Sequence, residues 1–114
     1  MKTLDELLAP LIDNKHLLYW SKEYFGTSWL CVMMFDTSKN MNEALGTKGL
    51  FGQFLGMPEG GAIVMNLEDI GGGTFAHELY HASCYYLKDM DEEQAAQTVQ
   101  KYTANFWNRY YKDT

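Results

Sequence analysis

The run from Thr74 to Leu87 constrains this chain more than any other stretch, because it must be a helix with two different faces. Phe75, Leu79, Ala82 and Tyr86 recur at helical spacing and form an apolar stripe that has to be buried. On another face stand His77 and His81, with Glu78 following the first, which completes an HExxH sequence. Helical residues four apart lie about 40° apart in azimuth and ~6 Å apart along the axis. Two imidazoles at that spacing can grip one metal ion. Glu78 sits roughly 100° round from His77, beside the metal, where a carboxylate can take a proton from a bound water. The expectation is a helix packed on a core by one side and open to a cleft by the other.

The remaining chain has to supply that core. With 114 residues, 1–114 reads as one domain with no room for a second. A net charge of −6, with Lys and Arg scattered singly, argues against nucleic acid as a main partner. No apolar run is long enough to span a bilayer, so no membrane partner is expected. The acidic, amphipathic start Met1-Lys2-Thr3-Leu4-Asp5-Glu6 is wrong for a signal peptide. Cys31 and Cys84 make no disulfide framework, and a reducing cytoplasmic setting is expected. Whether the two thiols meet is left open by the sequence.

Thr3 with Glu6 reads as a capping box ahead of Leu4, Leu7, Leu8, Leu11 and Ile12, with Pro10 kinking that helix or marking a second start. His16, just beyond, reads as a surface or capping residue. Leu17 to Phe25 and Trp29 to Phe35 are aromatic and β-branched around a Gly26-Thr27-Ser28 turn, which predicts a β-hairpin with Cys31 as a small buried hydrophobe. From Asp36 to Gly61 turn residues dominate, and a short strand over Leu50 to Leu55 with a Pro58 turn is the expected content. Gly46-Thr47-Lys48-Gly49 lacks the ending and the following helix that a phosphate loop needs. Ala62 to Leu67 is the clearest strand, either a central core strand or an edge able to pair with an extended peptide. After Lys88-Asp89-Met90, Asp91 with Gln94 caps a last helix to about Tyr111, with Val99, Thr103, Phe106 and Tyr110 on its buried stripe. The chain should thus end in an antiparallel helix pair.

A catalytic zinc site usually has three protein ligands plus water. Helical phase puts Glu92 in line with the buried stripe of the last helix, whereas depth favours Glu93, which lies ~1.5 Å further along the axis. Either acid can instead complement the helix dipole. Cys84 is on the histidine face, but three ligands from one rigid helix rarely close a tetrahedron.

His77-Glu78-x-x-His81 followed by a helix with Glu-x-x-Ala resembles the gluzincin zinc metallopeptidases, in particular small phage- and prophage-encoded metallopeptidases and ImmA/IrrE-type catalytic domains. The likeness covers Gly61 to about Trp107. It implies zinc bound by His77, His81 and Glu93, the last mapped through Ala96 and Gln97. It also implies Glu78 as the catalytic base and a peptide or protein substrate. The implied fold is α+β and zincin-like: an N-terminal helix, a small, mostly antiparallel sheet of three to four strands, and the HExxH helix followed by an antiparallel glutamate helix. Tyr80, Tyr85 or Tyr102 could assist the oxyanion, and the sequence does not choose among them. The competing expectation is a zinc-binding regulatory or interaction protein without peptidase activity, supported by the small room for a cleft. A deformylase-like amidohydrolase would need a cysteine ligand in an upstream strand, and Cys31 lacks the surrounding motif.

Overall fold

Two adjacent strands that bury both faces dictate the architecture of the computed structural model, which describes residues 3–114. These are β2 (Ser28–Phe35), buried from Leu30 onward, and β4 (Gly60–Asn66), buried along its whole length. They run parallel, Trp29 opposite Gly60 through Phe35 opposite Asn66. β1 (Leu17–Phe25) pairs antiparallel with β2 on one side and β3 (Gly52–Met57) antiparallel with β4 on the other, giving the order β1-β2-β4-β3. Two of the three pairings are therefore antiparallel, in line with the expected small, mostly antiparallel sheet.

Side chains alternate across a strand, so the central pair feeds two cores. Leu30, Val32, Met34, Ile63 and Met65 face α3 (Thr74–Tyr86) and α4 (Glu92–Asp113), which contribute Phe75, Leu79, Ala82, Tyr102 and Phe106. Cys31, Met33, Phe35, Ala62 and Val64 face the other way, under Leu4, Leu8 and Leu11 of α1 (Leu4–Ile12) and Met41 of α2 (Ser38–Leu45). The domain is α+β, with helices on both faces of the sheet.

The hairpin forms as expected, turning at Gly26 with φ 69°. The Thr3–Glu6 capping box is present, and Pro10 sits inside α1 without ending it. Of the two readings for Ala62 to Leu67, the central strand holds. The edge reading is overturned, because β3 lies outside β4 and is itself the free edge. The sequence also missed α2, whose eight residues hide between turn signals. Thr37 caps its start by accepting from the Asn40 N–H, and Gly46 closes its end in a left-handed conformation with φ 70°. Cys31 lies under α1 while Cys84 is exposed on α3, so the sheet separates them and both thiols are free. Burial pushes the Cys31 thiol up to about 11. Among the described residues no helix is long and apolar enough to cross a membrane.

Two buried asparagines fix the loops around β3. The Asn42 amide donates to the carbonyls of Ser38 and Leu50, and its oxygen accepts from the Leu50 N–H and the Thr47 hydroxyl. Asn66 at the end of β4 donates to the Phe51 carbonyl and to Asp69, and accepts from the Asp69 N–H. Removing the Asn42 side chain strands both backbone groups of Leu50. Asn42→Ala is therefore expected to lower unfolding stability by about 2–4 kcal/mol, measured by urea denaturation. A loss under about 0.5 kcal/mol would mean that water replaces the amide.

Candidate metal centre

The histidines are carried by α3, which enters from Gly73 in a left-handed conformation, φ 80°. The Thr74 hydroxyl donates to the Asp69 carbonyl and anchors the first turn. Phe75, Leu79 and Ala82 then lock one side of the helix into the core, which fixes where the other sides point. His77 and His81 are exposed and Glu78 is buried.

The two imidazole Nε2 atoms lie 3.2 Å apart. Tetrahedral zinc with Zn–N bonds of 2.0–2.1 Å requires its nitrogens to be about 3.3 Å apart. The pair is thus spaced for one metal ion. One donor atom from each of His77, Glu78 and His81 falls within a 4.8 Å group, and these three can hold a metal ion. Glu78 is only 6% exposed, yet no hydrogen bond from the described residues reaches its carboxylate. No fully buried side-chain oxygen lacks a partner, so those carboxylate oxygens remain open to the cleft.

The cleft lies between α3 and the free edge strand. Gln53 and Phe54 of β3, with Leu50 before it, face His77, Glu78, His81 and Tyr85 across an open space of about 550 Å³. Its closeness depends on Gly52. A Cβ there would sit 2.8 Å from the Thr74 methyl and 3.1 Å from the Val64 carbonyl oxygen, with the Glu78 Cγ at 3.5 Å. Tyr86 clamps the far end, its hydroxyl donating to the Met57 carbonyl and accepting from the Met57 N–H. Burial raises the Tyr86 phenol above its ordinary value, which keeps that donor protonated.

The expected meeting of Glu93 with the histidines is not found. Glu93 and Glu92 are exposed in the first turn of α4, and Glu93 accepts from the Gln97 amide. The reason is rotational. α4 lies along the flank of α3 formed by Ala76, Leu79, Tyr80 and Ser83. His77 and His81 are turned roughly 130° away from that flank, toward β3. The antiparallel neighbour expected to complete the metal site therefore stands on the wrong side of the helix to do so. Cys84 does border the cleft, but its thiol is not part of the converging group.

The three tyrosines separate cleanly. Tyr102 is buried and donates to the Leu30 carbonyl 2.7 Å away. Tyr80 lies on the α4 flank. Tyr85, one turn beyond His81, borders the cleft. His16, outside the site, pairs with Asp36 at 2.9 Å, and Asn40 donates to the same carboxylate. This bears out its surface reading. Comparison with known proteins finds no matching family model, no matching curated protein and no matching solved structure.

His81→Ala is expected to reduce zinc affinity at least 100-fold by competition with a chromophoric chelator, whereas Glu93→Gln should change it less than about twofold. A large loss with Glu93→Gln would show that α4 swings to the histidines when metal binds. Gly52→Ala should separate strand from helix and weaken zinc about tenfold while the fold survives. Unaltered affinity would show that Thr74 yields instead.

Proposed function

We propose that this protein is a zinc-dependent peptidase of the zincin-like type, hydrolysing peptide bonds at the His77–Glu78–His81 site. The single observation that carries this reading is the carboxylate of Glu78, unpartnered among the described residues and open to the cleft, beside two imidazole nitrogens at zinc spacing. A carboxylate so placed makes no structural bond and is free to take part in chemistry. Zinc, when held there, supplies Lewis acidity and brings the pKa of water near neutrality.

The chain's own residues divide the remaining work. His77 and His81 hold the ion through their Nε2 atoms, fixed at one helical turn's separation by α3. Glu78 accepts the proton of the attacking water and delivers it to the leaving amide nitrogen, a role suited to a carboxylate whose stem is packed and whose oxygens are open to the cleft. Tyr85 offers a hydroxyl toward the developing oxyanion. β3 is a free edge, and every second residue of such a strand presents both its N–H and its C=O outward, so an extended peptide can lie along it by strand addition. A cytoplasmic setting belongs to the same reading.

A second reading has its own support. With Glu93 turned away, Glu78 is the one carboxylate among the described residues that joins the two imidazoles. In this reading it binds metal as the third donor instead of acting as base, which makes the protein a metal-binding regulator without turnover. One substitution separates the two. Under the peptidase reading, Glu78→Gln should keep zinc affinity within about threefold of wild type and lower the cleavage rate of a casein-derived peptide mixture by at least 10³-fold. Zinc affinity that falls with the substitution, with wild type cleaving nothing, would establish the regulator instead.

A further inference from the structure

The cleft is asymmetric about Glu78, and the asymmetry has a chemical content. Toward the C-terminal half of α3 it ends on Phe54 and Tyr85, whose rings meet edge to face with centroids 5.9 Å apart. The Phe54 ring also packs edge-on against Tyr86, 5.8 Å away, so it is held from two sides. Gly56 makes room for it. A Cβ there would stand 2.9 Å from the ring. Apart from Glu78 and the histidines, no ionisable group of the described residues but Cys84 and the Tyr85 phenol borders this lobe.

Toward the start of α3 the same cleft continues into a smaller space of about 350 Å³, sharing His77 and Glu78 and walled chiefly by Gly49, Gly52, Gly72 and Gly73, with Leu50 (common to both lobes), Phe51 and Thr74. Glycine walls offer little side-chain surface for dispersion contact. The one ring there, Phe51, is 66% exposed and braced by no other ring among the described residues, so this lobe gives little fixed basis for preferring one residue over another. The aromatic lobe offers rigid apolar surface that a bulky side chain can bury.

Resting on the peptidase reading, we infer that substrate selection is one-sided: a bulky apolar side chain immediately before the scissile bond is seated on Phe54 and Tyr85, and the residue after it is accepted with little discrimination. The order follows from strand addition. β3 runs from Gly52 toward Met57, and antiparallel pairing, the more stable arrangement, sends the peptide from the Phe54 end toward the Gly52 end. Its amino-terminal side then crosses the aromatic lobe and its carboxy-terminal side the glycine-walled one.

The test uses the zinc-loaded full chain on a mixture of proteome-derived peptides, with Glu78→Gln as the blank and cut sites read by mass spectrometry. Cuts present only with wild type should be enriched about fivefold or more for Phe, Tyr, Leu and Met before the cut and be flat after it. With paired synthetic peptides, kcat/KM for Phe over Ala before the cut should exceed about 10, and Phe54→Ala should bring that ratio below about 3. Gly72→Leu places a side chain where a Cβ meets open space. It should impose a preference for small residues after the cut and leave the Phe-to-Ala ratio intact. Glu78-dependent cuts without enrichment, enrichment only after the cut, or a ratio insensitive to Phe54→Ala would each overturn the inference while the peptidase stands. No Glu78-dependent cut anywhere would overturn the peptidase reading, and the inference with it.

Discussion

Everything in this domain depends on the β2–β4 pair being apolar on both faces. A parallel pair cannot be closed by a tight turn and needs a crossover, and here the crossover holds α2 and the whole of β3. That single requirement sends β3 to the outside of the sheet, next to α3. It also forces helices onto both sheet faces, since neither can be left to water. The edge strand that borders the metal centre is thus a by-product of how the core is closed.

The helix bearing the histidines could be read from sequence because two periodicities coincide in it. The stripe of Phe75, Leu79 and Ala82 announces which side is buried, and the His77–His81 spacing announces a second side that is not. That Ala62 to Met65 forms a strand was equally legible from its short, nearly unbroken apolar run, though the sequence left open whether it is central or an edge. What escaped was tertiary azimuth. Knowing that α3 and α4 are antiparallel neighbours does not reveal which flank of α3 they share, and a turn of roughly 130° decides whether an acid of α4 can approach the imidazoles. Short polar stretches escaped too. The α2 segment has a Thr37 cap and a Gly46 stop, but Asn40, Asn42 and Glu43 mask its one buried apolar anchor, Met41.

Gly52 was invisible, and Tyr85 could not be told from Tyr80 and Tyr102, for a related reason. A glycine in a turn-rich region reads as punctuation until the helix opposite it is known, and only then does its missing side chain become a condition for the cleft. Among several tyrosines, one becomes interesting only because the other two are occupied elsewhere, Tyr102 in the core and Tyr80 on the far flank. Local chemistry names the reacting groups; packing chooses their surroundings.

The burial of the three site residues is unequal, and that has an evolutionary consequence. His77 and His81 are exposed and cost the scaffold almost nothing, so exchanging them leaves folding nearly untouched. Glu78 is rooted in the packing between helix and strand, its stem against Gly52 while its oxygens reach the cleft. In a descendant released from whatever selection maintains the site, the imidazoles are the members most readily lost, and the glutamate, held by the fit of its stem, is the last to change.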